Sequence, residues 1–508
     1  MRLLPQDTLT EADVEAGLSA LVKDGMYAQA VGALTSGVIL VGYALALGAS
    51  NAVIGLLAAV PFLAQLAQLP AIALVERFRA RRAIAVAALA AARLLLLPLA
   101  LLPLLGNPAA ELSLLVAGTA LSAGLGAVAA CSWNSWIHQL VPRARLGTFF
   151  ARRQLLATAL SMVAGLAAGV FVDAWAGWYP GAAVYAFSLL FVLGLAAGAA
   201  STWHLARVPE PRMPATERRT GFRDALRQPF RDRNFRRLII FLAAWNFAAN
   251  LATPFFTVYM VGELGLTMGA VTLLLVASQG ANILVLNLWG QLSDRLTNKS
   301  VLATAAPVFL FSTLAWVFLK MPVPHALTLP MLVAIHVLMG MATAGVTLAT
   351  GNIGLKLAPP GQATAYLAAS SLFSSMAAGI APILGGLVAD DLAARQLSVT
   401  VQWANPGGRY DLLAVTLRHW DFFFLGAFLV GLYALHRLSL VREEGEVEER
   451  IVVRELVLEA RRSIRNLSSV AGLRVGTMFP FGLALKAVPP APKGPGPGQR
   501  AGTAVPGP

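Results

Sequence analysis

Charge is scarce in this chain. Asp, Glu, Lys and Arg make up 13% of its 508 residues, about half the usual quarter, while apolar residues reach 57% and mean hydropathy is +0.69. A water-soluble fold built this way would leave too much apolar surface uncovered, so the bilayer is the fitting solvent. Cysteine is almost missing: Cys131 stands alone in an apolar run, which excludes an intrachain disulfide framework and a cysteine metal site. The six histidines (138, 204, 325, 336, 419 and 436) are scattered, and no H-E-x-x-H helix exists to hold zinc. No G-x-x-x-x-G-K-[ST] loop cradles a nucleotide, and no nucleophile, base and orienter recur together, so neither an ATP-driven pump nor an enzyme is expected, and no cofactor. The first 25 residues carry Glu11, Asp13 and Glu15 and lack the basic-then-apolar order of a signal peptide.

Long apolar runs are what the chain has in abundance. A hydrocarbon core about 30 Å thick needs roughly 20 helical residues. Runs of that length fall at 26–48, 51–75, 83–105, 112–137, 155–176, 181–205, 238–261, 268–292, 300–320, 327–352, 364–389 and 419–438. The expected fold is therefore all-α and polytopic, with about twelve transmembrane helices, because open strands cannot satisfy their backbone in lipid. The net charge of +14 does not mark a nucleic-acid binder, since the basic residues sit in short clusters between the runs. With a cytoplasmic N-terminus, 34 of the 39 Lys and Arg fall on the cytoplasmic side and four (Lys320, Arg395, Arg409, Arg418) outside, Arg93 being within a span. That asymmetry puts both termini in the cytoplasm and suits a bacterial inner membrane.

The runs divide six and six. The expected organisation is an N-terminal bundle at 1–205, a basic connector at 206–237, a C-terminal bundle at 238–438, a cytoplasmic tail at 439–487 with a surface helix, and a disordered Pro/Gly-rich end at 488–508. The halves echo each other at an offset of 218: Glu76 with Asp294, Asn134 with Asn352, Pro142 with Pro360, and Asp173 with Asp391. Internal repeats of this kind are typical of secondary transporters.

The segment Gly290-Gln-Leu-Ser-Asp294-Arg295-Leu-Thr-Asn-Lys299 resembles the loop signature of the major facilitator superfamily, G-x-L-a-D-r-x-G-r-k, with Thr297 and Asn298 departing from it. Leu74, Arg77 and Arg81 fit a degenerate first-half copy in which Glu76 replaces the aspartate. The stretch from Trp133-Asn-Ser-Trp136 to Arg153 looks like a fourth-to-fifth-helix loop of uncharacterised bacterial members. The resemblance covers about residues 24–438. It implies two pseudo-symmetric six-helix bundles, with helices 1, 4, 7 and 10 around a central cavity. It also implies a gating role for Glu76, Arg77, Arg81, Gly290, Asp294, Arg295 and Lys299, whose contacts would break as the protein changes state.

Polar residues within spans are the candidate site, since lipid tolerates them mainly where they face protein or a cavity. Gln29, Ser36 and Tyr43 recur every seven positions in the first span; Asn246, Asn250, Thr253 and Thr257 form a stripe in the seventh; His336, Thr343 and Thr347 share one side of the tenth. Trp133, Trp136 and Trp245 are the expected aromatic walls. Such stripes also arise when Ser and Thr bond back to their own helix. No Asp or Glu is expected deep in a span, so no buried carboxylate offers proton coupling; Arg93 is expected to have a structural partner, and His336 to be a satisfied core residue. The function expected is secondary active or facilitative transport of a small solute by a monomer in the bilayer, with an unidentified coupling ion possible. The alternative is a non-transporting sensor or assembly factor on the same scaffold, marked by a cavity packed shut.

Overall fold

A computed structural model describes residues 5–6, 9–142, 145–213, 228–320, 326–359, 362–405 and 408–444. Most of the connector, and the tail beyond Glu444 with its expected surface helix and disordered end, lie outside the described residues.

Twelve helices are long and apolar enough to cross a membrane: α1 (Glu11–Ala46), α2 (Asn51–Phe78), α3 (Arg81–Leu104), α4 (Pro108–Leu140), α5 (Leu146–Trp178), α6 (Val184–Leu205), α7 (Arg233–Glu263), α8 (Met268–Arg295), α9 (Asn298–Lys320), α10 (Thr328–Leu357), α11 (Ala365–Leu392) and α12 (His419–Ser439). Leu94, Leu121, Val163, Leu284 and Leu387 are among the large apolar side chains left on the outside, where acyl chains would cover them. The first helix is longer than its apolar run. Thr10 caps it in a reciprocal box with Asp13, so a polar first stretch joins the apolar one without interruption.

The halves repeat each other's packing. The pairs α1–α5, α1–α6, α2–α4, α3–α4 and α3–α6 recur as α7–α11, α7–α12, α8–α10, α9–α10 and α9–α12. The repeat runs at 217 positions rather than 218: Asn51 and Met268 begin α2 and α8, Arg81 and Asn298 begin α3 and α9, and Leu140 and Leu357 end α4 and α10. The counterpart of Asp173 is accordingly Asp390, while Asp391 pairs with Arg395 at the surface.

Between α11 and α12 lies an element the apolar-run analysis missed, an antiparallel hairpin of β1 (Gln396–Asn405) and β2 (Gly408–Arg418). Its signal was alternation: Leu397, Val399 and Val401 pair across the ribbon with Leu417, Val415 and Leu413. The end of the molecule carrying this ribbon is the hairpin face, and the opposite end is the connector face.

Candidate functional site

The first span is not one continuous helix. At Ser36 the backbone is extended (φ −134°, ψ −178°), Gly37 adopts φ +57°, and the helix continues beyond it to Ala46. A positive φ is cheap only without a Cβ, so glycine is the residue that permits the break. The break opens onto a chamber of about 230 Å³ between α1, α5 and α8, lined by Gln29, Ser36, Thr158, Ser161, Thr272 and Gln279. A second chamber of about 330 Å³ lies among α7, α8, α9 and α10, bounded by Trp245, Phe256, Phe309, Thr253, Thr257, Ser278, His336, Thr343 and Thr347. Leu275 of α8 lines both. No Asp, Glu, Lys or Arg is among the residues lining either chamber.

Several sequence candidates meet here and others do not. Gln29 and Ser36 line the first chamber; Trp245, Thr253, Thr257, His336, Thr343 and Thr347 line the second. Tyr43 does not follow Ser36, because the break resets the helical phase between them. It is fully buried, donates its hydroxyl to the Leu99 carbonyl at 2.9 Å and stacks on Phe187. Trp133 and Trp136 are packing residues near the connector face. Trp133 carries the Arg153 guanidinium 5.0 Å from its ring centre, and the Trp136 indole donates to the Pro209 carbonyl at 2.9 Å. Asn246 and Asn250 line neither chamber, their amides turning back to the carbonyls of Leu242 and Asn246, both at 2.8 Å. Thr253 and Thr343 also donate backwards, to Ala249 at 2.6 Å and Met339 at 2.7 Å, yet they still face the chamber. The stripe Thr158, Ser161, Gly165 on α5 was overlooked, although its spacing of three and four residues was a readable signal.

Above the chambers, on the hairpin face, two carboxylates tie the bundles together. Asp173, in the last turns of α5, accepts from the first backbone N–H groups of α8, Met268 at 2.8 Å and Gly269 at 2.7 Å. Asp390, at the end of α11, does the same for α2, accepting from Asn51 at 3.0 Å and Ala52 at 2.9 Å. A helix start presents free N–H groups and a positive dipole end, so a carboxylate there is held by charge and hydrogen bonds together. Below each clamp the helices nearly touch. A Cβ added to Gly55 would stand 2.0 Å from the Pro382 carbonyl oxygen, one on Gly169 2.3 Å from Thr272, and one on Gly379 2.5 Å from Leu63. From Asn51 to Leu63 this seam follows α2 for about 18 Å, more than half the hydrocarbon thickness.

The residues expected to gate lie at the other end and divide into two groups. Glu76, Arg77, Gly290, Asp294 and Arg295 occupy the loop ends of α2 and α8; Asp294 is exposed and makes no hydrogen bond or ion pair with a described residue. Arg81 and Lys299, in contrast, are buried inside their own bundles. Arg81 pairs with Glu210 at 3.2 Å and donates to Gln139 at 2.8 Å and Pro211 at 2.6 Å. Glu210 in turn accepts from the backbone of Arg81 (2.8 Å) and Arg82 (3.1 Å), capping α3. In the second half Glu443 caps α9 through Lys299 N at 2.7 Å and pairs with Lys356 at 2.8 Å. Gln139 and Lys356 are repeat counterparts, so the cation sits on α3 in one bundle and on α10 in the other. The segment after α6 is therefore bound structure as far as Pro211, and Arg81 and Lys299 are staples within bundles.

Asp24, just before the apolar run of α1, is a buried carboxylate that the span reading did not single out. It lies between three and four turns into α1, 4% exposed, accepting from Ser201 at 2.7 Å and facing Arg153 at 3.6 Å. Arg93 also interacts electrostatically with it, its stem lying over Gly198. The cluster belongs to the interior of the N-terminal bundle and lines neither chamber. Asp24→Asn keeps the size and the Ser201 contact but leaves two guanidinium groups uncompensated, so thermal unfolding of the purified protein is expected to report a loss of about 1–3 kcal/mol. A melting curve matching the parent would remove the cluster from the stabilising contacts.

A family model described as the Major Facilitator Superfamily matches residues 26–382, with a second match over 250–485. Among curated proteins no sequence match is found. Solved structures resemble the chain over most of its length. A mutant of the nucleoside transporter NupG aligns with TM-score 0.62 at 14% identity, covering 84% of this chain and 100% of its own. A bacterial metal transporter gives 0.58 at 14%, covering 85% and 99%. A bacterial homologue of the human lysosomal transporter Spinster, inward-facing and unoccupied, gives 0.54 at 16%, covering 89% and 98%. At these identities the likeness is one of fold.

Proposed function

The chain belongs to the major facilitator superfamily, and from that premise we propose that it carries a small solute across a bacterial inner membrane by alternating access, without ATP. Membrane transport is the activity its family supports; the mechanism is our reading. The observation that carries it is the pairing of polar chambers with a sealed seam above them. Asp173 and Asp390 hold the hairpin face shut at symmetry-related places, while Asp294 at the connector face makes no ion pair with a described residue. Two bundles clamped at the hairpin face around polar chambers fit one of the two states that alternating access requires. The positive-inside asymmetry supports a cytoplasmic connector face with both termini there, making this the inward-facing state. The chambers are open space, which favours transport over a sensor built on the same scaffold.

A metal cargo fits poorly. Among the described residues no group of three or more His, Cys, Asp or Glu is placed to hold a cation.

The seam gives the test. In a Cys131→Ser background, Leu63→Cys with Gly379→Cys places two thiols across α2 and α11. Oxidation is expected to lower solute flux in proteoliposomes more than tenfold, and a reductant to restore it. Undiminished flux with the cross-link formed would overturn alternating access.

A further inference from the structure

The second chamber has a chemical sense of its own. His336 is 4% exposed, and its Nδ1 lies 2.8 Å from the Leu332 carbonyl oxygen. A carbonyl only accepts, so Nδ1 carries the proton and Nε2 of the neutral ring is left as an acceptor. No described residue hydrogen-bonds Nε2, although the side chain is buried against the chamber wall with its ring edge-on to Trp316. The hydroxyl protons of Thr253 and Thr343 are committed to their own helix, so toward a solute in the same space these hydroxyls can only accept. Trp245 and Phe256 supply flat apolar wall. The wall therefore offers acceptors and aromatic faces, while the hydroxyls of Thr257, Ser278 and Thr347 can either accept or donate.

Ionised groups are missing from this lining. A charged solute entering either chamber would shed water without meeting an opposite charge, and buried unpaired charges are costly. A cation could find partial compensation in acceptors and rings, but no carboxylate stands beside them. A neutral ring with several hydroxyl or N–H donors loses little on entry, because each donor exchanges water for a waiting lone pair.

We propose that the chamber around His336 binds an uncharged, ring-bearing solute rich in hydrogen-bond donors, with His336 Nε2 accepting one of them and setting specificity for the neutral form. The assignment deepens the transport reading and rests on it for treating the chamber as part of the solute path.

Three probes of one shape test it: phenyl β-D-glucoside, its anionic partner phenyl β-D-glucuronide, and its cationic partner phenyl 6-amino-6-deoxy-β-D-glucoside. Calorimetric titration of the full chain in nanodiscs is expected to show binding of the neutral probe at least tenfold tighter than either charged one. His336→Phe, which keeps bulk but removes the acceptor, should weaken the neutral probe about tenfold, the scale of one buried hydrogen bond. His336→Gln, which restores an acceptor, should recover part of that loss. Equal or tighter binding of a charged probe, no binding of the neutral one, or a His336→Phe variant that melts like the parent and binds unchanged would each overturn the assignment. Counterflow of labelled phenyl glucoside in proteoliposomes separates the two readings: selective binding without flux would sink transport and leave the site standing, and flux of all three probes alike would do the reverse.

Discussion

Glu210→Ala is expected to destabilise the folded chain by about 3–5 kcal/mol, the cost of removing one partner from a buried ion pair. Both side chains of the Arg81–Glu210 pair are fully buried, and the same carboxylate caps the start of α3 through two backbone N–H groups. The substitution thus leaves a guanidinium and a helix end without their acceptor together. Arg81 retains the Gln139, Ser135 and Pro211 oxygens, so the loss should fall short of complete unfolding. Glu210→Gln keeps one acceptor and should recover a part. Glu443→Ala, the counterpart in the second half, should cost less, because the Lys356 side chain is 49% exposed and can be rehydrated. Thermal unfolding of purified variants would rank the three. If Glu210→Ala melts no lower than Glu15→Ala, which removes an exposed pair with Arg145, the staple has no energetic role.

Removing both hairpin-face clamps should move the conformational equilibrium furthest. Each of Asp173 and Asp390 holds a helix start through two charge-assisted hydrogen bonds, worth about 1.4 kcal/mol against water-filled separation. That is roughly tenfold in the ratio of closed to open seam for each, and about a hundredfold for Asp173→Ala with Asp390→Ala if the distant sites add. The seam's glycine contacts remain, so the protein should stay folded. Thr272→Cys in a Cys131→Ser background reports the change, because Thr272 is buried against Gly169 in the closed seam. Its rate of labelling by an impermeant maleimide from the hairpin face should rise with each substitution, by similar amounts for the two singles. Rates that do not move would show that the glycine seam closes that face without help from the carboxylates.

Sequence patterning located the spans well because each helix satisfies its own backbone, which makes apolar length a local property. It located the polar wall of α10 and half of that of α7 for the same reason: a stripe on an unbroken helix stays a stripe. It failed where periodicity was interrupted. Gly37 turns the chain by one glycine conformation, and Tyr43 leaves the face of Ser36. Asn246 and Asn250 share the stripe of Thr253 and Thr257 but curl onto their own carbonyls, a choice that periodicity cannot express. Asp24 escaped notice because it precedes the apolar run, whereas its burial depends on Arg153 of α5 and Ser201 of α6 packing over it.

The number of spans, their helical character, the twofold repeat and the charge asymmetry between faces follow from the order of residues alone, since each arises from contacts within a few turns or from composition along the chain. The partners of the carboxylates were decided only by packing. Asp173 meets a backbone N–H 95 residues away and Asp390 one 339 residues away. A carboxylate accepts from any helix start brought within reach, so its chemistry names no particular partner. The arrangement of bundles selects one, and with it decides which face is sealed.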